Sequence, residues 1–254
     1  MQSKPYIKIG FTDFFKPADE FFVEVLSNYY NVEVDNSNPD FLFFSTEEFG
    51  TENKKWDNTN VTKIFFTGEN RRPENYTCQY SISFDHKIEL WNYRLPLYVL
   101  DMWCIPNASG LKQYPYDTLY KPVDITDRSL FCGFVHRNGS NPVRNAVFDE
   151  ISSHAGYVTE KILHAFYAGA IPIYWGSPTI ELDFNPATFI DAGKMDSMEE
   201  LIDNIKLVDE NEDLRRSMLM ANKNIFNLPN QYVRMANFLN WFHGIVYSRR
   251  FQRI

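Results

Sequence analysis

Short apolar runs alternate with amphipathic stretches through the first half of the chain. Tyr6 to Thr12 reads as a strand, and Asp19 to Tyr30 as a helix with Phe22, Val25, Leu26 and Tyr29 on one face. Further strands are predicted at Asn31 to Asp35, Phe41 to Ser45, Val61 to Phe66 and Tyr80 to Phe84. Most are continuously apolar or β-branched, the pattern of parallel strands buried on both faces, so a doubly wound sheet is expected. An apolar segment at Pro96 to Trp103 follows. Gly110 to Thr126 is richer in Pro, Tyr and Asp and has little periodicity, which suits an interdomain linker.

The second half opens on a predicted strand, Ser129 to His136, and a helix with Pro142 near its start that runs to about Ser153. Thr159 to Ala168 carries Ile162, Ala165 and Phe166 at helical spacing, with Gly169 as its stop, and Ile171 to Trp175 is a β-rich run closed by Gly176-Ser177-Pro178. Two helices thus stand in series around 154, with no strand to return the chain to a sheet. Met198 to Val208, Asn211 to Phe226 and Gln231 to Arg250 read as helices. The last gathers Phe238, Leu239, Trp241, Phe242, Ile245 and Val246 on one face. The expected domains are 1–122, 123–230 and a terminal helix, 231–254, that packs back on the first. A helix lying weakly on a membrane surface is the minority alternative, because its basic excess is confined to Arg249, Arg250 and Arg253.

Composition narrows the partners. With 44% hydrophobic and 17% aromatic residues, 254 residues can bury a large core. Twenty-five basic against 33 acidic residues leave a net charge of −8 with no basic block, which argues against nucleic acid as a partner. Cys78, Cys104 and Cys132 have no metal-ligand spacing and are expected as free thiols in a reducing compartment. The sequons at Asn60, Asn75, Asn107 and Asn138 are read as chance, since no signal peptide or apolar span precedes them.

Two places can carry chemistry. Glu69, in Thr67-Gly68-Glu69-Asn70, lies just past a predicted parallel strand, where α/β proteins place reactive groups. Glu160 and Lys161 stand at the start of a predicted helix, where backbone N–H groups attract anions. A phosphate subsite and a plain solvated Glu-Lys pair both fit that spacing. No two aspartates are spaced by one residue, and the five histidines form no close ligand pair, so no metal is expected. Walker, Gly-x-Gly-x-x-Gly and Gly-x-Ser-x-Gly patterns are absent from the sequence.

The literal motifs go further. Gly156-Tyr157-Val158-Thr159-Glu160-Lys161-Ile162, with Ala170-Ile171-Pro172-Ile173-Tyr174-Trp175-Gly176 behind it, closely resembles the signature of the α-1,3/4-fucosyltransferases of bacterial type. Phe65 to Asn70, Phe131 to His136 with Asn141 to Asn145, and Asp183-Phe184-Asn185-Pro186 match that family in the same order, over about residues 60 to 191. The resemblance implies an α/β fold of two Rossmann-like domains facing across a cleft, the glycosyltransferase B architecture, with the acceptor mainly on the first domain and GDP-fucose on the second. It implies inverting transfer of fucose from GDP-fucose to the 3-hydroxyl, with the 4-hydroxyl as alternative, of N-acetylglucosamine or glucose in a lactosamine- or lactose-type glycan.

By the same resemblance Glu69 is the general base, Arg144 and Lys161 hold the diphosphate, Glu160 bonds the ribose hydroxyls and Tyr157 lies against the nucleotide. His136 and Asn138 are candidates to line the cleft. GDP-fucose is the donor, so no further cofactor is expected. Another nucleotide sugar, or a glycan-binding relative without catalysis, is the alternative. The family's longer stretch before the signature, with a strand ending in Phe-Glu-Asn, implies a segment missing here between Ile151 and Gly156. The absent membrane anchor implies a cytoplasmic bacterial-type protein or a trimmed soluble catalytic domain.

Overall fold

The computed structural model describes residues 4–16, 18–86, 91–108, 155–227 and 231–252. The chain divides into two compact units, 1–113 with 231–254, and 114–230.

The first unit is built on six parallel strands in the order β2-β1-β3-β4-β5-β6. They are β1 (Tyr6–Phe11), β2 (Asn31–Val34), β3 (Phe41–Phe44), β4 (Thr62–Phe66), β5 (Tyr80–Ser83) and β6 (Asn92–Arg94). The order reverses at β1. Right-handed crossovers therefore place the β1-to-β2 connection on one face, and the β3-to-β4 and β4-to-β5 connections on the other.

The first face takes α1 (Ala18–Ser27) and α2 (Leu97–Ala108). On it the Phe22 ring meets Phe43, Phe66 and Phe238 at 5.0, 5.2 and 5.7 Å. Phe238 belongs to the long terminal helix Met235–Gln252. That helix buries Phe238, Leu239, Phe242, Ile245 and Val246 against this unit. Arg249 fastens its last turn to Thr62 at 2.9 Å and Asp40 at 3.2 Å.

On the second face, which carries Phe44, Lys63 and Phe65, the expected doubly wound covering differs. The crossovers described there are the 3₁₀ turns Glu47–Phe49, Glu52–Trp56 and Pro73–Asn75 rather than α-helices. Their sequences, rich in Glu, Asn and Lys, lack the apolar stripe that would hold a helix on the sheet. β6 was not legible either. Its Asn92 is buried through a side-chain oxygen that accepts from Ser81 and Ser83 at 2.6 and 3.0 Å, so hydrogen bonds replace apolar patterning at that edge.

In the second unit α3 (Lys161–Tyr167) leads to β7 (Ile173–Tyr174), which pairs in parallel with β8 (Ile190–Asp191), and α4 (Met198–Glu210) and α5 (Glu212–Ala221) follow. The terminal helix Met235–Gln252 is thus α6. Gly169, at φ +67, closes α3 as a Schellman motif, with its N–H on Phe166 O at 2.8 Å and that of Ala170 on Ala165 O at 3.0 Å. Among the described residues no helix is long and apolar enough to cross a membrane.

Candidate functional site

In the first unit the residues after β4 present Glu69 at the carboxyl end of the parallel sheet. Its side chain is exposed, and its carboxylate has no hydrogen-bond partner among the described residues. Its backbone is held firmly. The Glu69 N–H donates to Thr67 Oγ1 at 3.0 Å, and the Arg71 N–H donates to Glu69 O at 2.7 Å. Arg71 pairs with Glu48 at 3.1 Å. Arg72 pairs with the buried carboxylate of Asp85 and lies over the Phe84 ring at 5.2 Å. The second oxygen of Asp85, Oδ2, is buried without a partner among the described residues. This clamp, from a loop after β4 to the end of β5, was not read from the sequence. Its only trace there is the pair of arginines just after Glu69-Asn70.

In the second unit the signature starts with a latch. Gly156 has φ +94, a conformation that suits glycine, and its buried N–H donates to Ser177 Oγ and Thr179 Oγ1, each at 3.0 Å. The two hydroxyls bond each other at 3.0 Å, and the Ser177 N–H donates to the Tyr174 hydroxyl at 3.0 Å. Gly176 must stay bare, because a Cβ there would lie 2.5 Å from that hydroxyl. The Gly-Ser-Pro-Thr turn after β7 therefore fixes the start of the Gly-Tyr-Val-Thr-Glu-Lys segment. Ser177 and Thr179 hold this segment in place; sequence reasoning treated Ser177 only as the close of a strand and did not single out Thr179.

Within that segment Val158 and Ile162 are buried and anchor it, while Tyr157 is half-buried. Glu160 stands at the N-cap position of α3 with no capping bond from its side chain, and the helix begins two residues later than expected. Its Oε1 accepts from Lys161 Nζ at 3.0 Å, and Oε2 is buried without a partner among the described residues. Lys161 itself is 79% exposed. Glu160 and Lys161 thus pair with each other, and one carboxylate oxygen of Glu160 is left to accept a further hydrogen bond. The Asp183-Phe184-Asn185-Pro186 motif is structural here. Phe184 is fully buried, with Phe166 of α3 at 6.0 Å and Phe226 at 5.2 Å, and Asn185 caps the turn Pro186–Thr188.

Arg144, His136 and Asn138, the predicted strand and helix around them, and the junction at 151–154 lie outside the described residues. Among the described residues no group of three His, Cys, Asp or Glu could hold a metal ion. Cys78 is a free thiol, which burial pushes up to about 11.

The fold defines the class. It is the glycosyltransferase B fold: a crystal structure of an α1,3-fucosyltransferase matches with a TM-score of 0.72 at 24% identity, covering 96% of this chain and 91% of that one. The same holds for a crystal structure of α1,3-fucosyltransferase with GDP-fucose, at a TM-score of 0.69, 24% identity and coverage of 96% and 91%. The family model of the α-(1,3)-fucosyltransferase FucT N-terminal domain matches residues 8–101, and that of the glycosyltransferase family 10 (fucosyltransferase) C-terminal part matches 148–228. The chain belongs to the α-1,3-fucosyltransferase family. It is 26% identical to the α-(1,3)-fucosyltransferase FucT of Helicobacter pylori, over 78% of this chain and 55% of the relative. To the α-(1,4)-fucosyltransferase of Arabidopsis thaliana it is 36% identical, over 30% of this chain and 18% of the relative. The chain spans about half the length of the first relative and a smaller part of the second.

Proposed function

We propose that this protein transfers fucose from GDP-fucose, with inversion, to the 3-hydroxyl of N-acetylglucosamine or glucose in a lactosamine- or lactose-type glycan, the 4-hydroxyl being the alternative. The family supports the donor. The observation that carries the mechanism is Glu69, an exposed carboxylate without a partner among the described residues, held on a braced loop at the carboxyl end of β4.

In this reading Glu69 takes the proton of the acceptor hydroxyl as its oxygen forms the new bond to fucose C1. The bond from C1 to the β-phosphate oxygen breaks, and GDP leaves with the electron pair. Lys161 and Arg144 neutralise the diphosphate as that charge develops, Lys as a compact charge and Arg as a fork. The unpartnered Glu160 Oε2 suits a ribose hydroxyl, and Tyr157 lies against the nucleotide. Charge on the leaving group is met by side chains, so the reading calls for no metal or further cofactor.

The test is labelled fucose transfer across lactose, N-acetyllactosamine and the isomeric type 1 disaccharide, with GDP-mannose and UDP-galactose as donor controls. Glu69→Ala should lower turnover at least about a hundredfold, the scale of a lost general base, while GDP affinity stays at the wild-type value. Normal turnover in that variant would remove Glu69 from the mechanism, and transfer from another donor would remove fucose.

A further inference from the structure

Right-handed winding puts the β3-to-β4 and β4-to-β5 crossovers on the same face of the first sheet, and both are made of short 3₁₀ turns. Such turns cannot fill the space an α-helix would occupy. Between them lies a cavity of about 430 Å³, within the size range of small-molecule sites. Its floor is Phe44. One wall is Tyr76, whose ring stacks on Phe65 at 4.0 Å and whose hydroxyl donates to Glu47 Oε2 at 2.7 Å.

The charges of this cavity come in balanced sets. Asp57 is neutralised by Lys63 at 2.5 Å, and Arg71 by Glu48 at 3.1 Å. Glu47 and Lys54 add one charge of each sign. The Tyr76 hydrogen bond holds the Glu47 carboxyl below its usual range, while burial and Glu47 push the Tyr76 hydroxyl up to about 12. Near neutral pH the wall therefore offers an ionised acceptor and a protonated phenol, with no net charge to favour a phosphate or a cation. Thr51, Asn53 and Asn75 add hydroxyl and amide groups. A surface of balanced charges, hydroxyls and amides beside an aromatic ring fits an uncharged polyhydroxyl ligand.

The cavity adjoins the reactive loop. Arg71 is part of its wall, and the Arg71 amide donates to Glu69 O at 2.7 Å. Glu69 itself is not in the wall. A sugar in the cavity is therefore not the one whose hydroxyl Glu69 would deprotonate, but its neighbour along the same glycan. We infer that this cavity is an acceptor subsite, which binds the sugar unit next to the one that receives fucose. The inference rests on the proposed function for the identity of the glycan, and on the cavity alone for its place.

Two substitutions fill the cavity from different crossovers and leave Glu69 and the second unit unchanged: Thr77→Trp and Thr51→Phe. In each, kcat/KM for N-acetyllactosamine should fall about tenfold, the scale of one or two lost hydrogen bonds with their contacts. Transfer to free N-acetylglucosamine, and hydrolysis of GDP-fucose without acceptor, should keep wild-type rates. Equal losses on monosaccharide and disaccharide, or no loss on either, overturn the subsite. Should the wild-type protein transfer no fucose at all, calorimetric titration with the disaccharide separates the two readings. Weaker binding by both variants then upholds the cavity while the transfer reading falls, and unchanged binding sinks the cavity. Melting curves establish that the variants are folded, and if one is not, the other carries the test.

Discussion

At the scale of single residues, the feature that gives Glu69 its value is the bracing of its loop. Arg72 and Asp85 tie the loop after β4 to the end of β5, with the Asp85 side chain only 6% exposed. Arg72→Ala would leave a buried carboxylate without its cation, a loss of about 1–3 kcal/mol in urea unfolding. It should also lower kcat while the affinity for GDP stays unchanged, because the proposed base loses its position and the proposed donor groups, Glu160 and Lys161, belong to the other unit. Arg72→Lys should restore part of kcat, since it supplies charge without the fork. A variant that loses stability and keeps kcat would reduce the clamp to a structural role. The place of Glu69 at the end of a strand was legible in the sequence, from the apolar run before it. The clamp was not, because Asp85 lies sixteen positions from Glu69 and only the pairing of β4 with β5 brings their strand ends together.

At the scale of elements, the signature segment depends on a hydrogen-bond latch more than on helix propensity. α3 has only seven residues, below the length at which a helix is stable by itself. Gly156, the Ser177-Thr179 hydroxyl pair and the Schellman end at Gly169 fix it instead. Gly156→Ala imposes φ +94 on an L-residue and should cost at least about 1 kcal/mol, the scale of left-handed strain. GDP should bind more weakly in parallel, measured by calorimetry, because Glu160 and Lys161 follow directly on the latch. Stability lost without any change in GDP affinity would separate this segment from the donor. Gly169 was readable as a helix stop, since glycine relieves the left-handed penalty wherever it stands. The latch was not, because a serine and a threonine in a turn have many partners to choose from, and the choice here is a backbone N–H more than twenty residues away.

At the scale of the molecule, the chain closes its first unit with its last helix. Five apolar side chains of α6 (Phe238, Leu239, Phe242, Ile245 and Val246) are buried on the face that also holds α1. At about 1.5–3 kcal/mol for each such side chain, their removal would cost as much as the whole stability of a typical domain. A chain ending at residue 230 should therefore lose cooperative unfolding of the first unit, seen as a missing near-ultraviolet dichroism signal and a flattened urea transition. Retention of that transition would show that the sheet and α1 suffice.

What this chain determined by itself is local: apolar runs long enough to be strands, a helical face in α1 and α6, a glycine stop and the literal motifs of a fucosyltransferase, each set by neighbours within a few residues. What only the tertiary structure decided is the reversal of strand order at β1, which sends two short crossovers to the same face and opens a cavity beside the Glu69 loop. Strand order depends on which distant edges pair, and pairing energies between equally apolar strands leave no mark in the spacing of residues along either one.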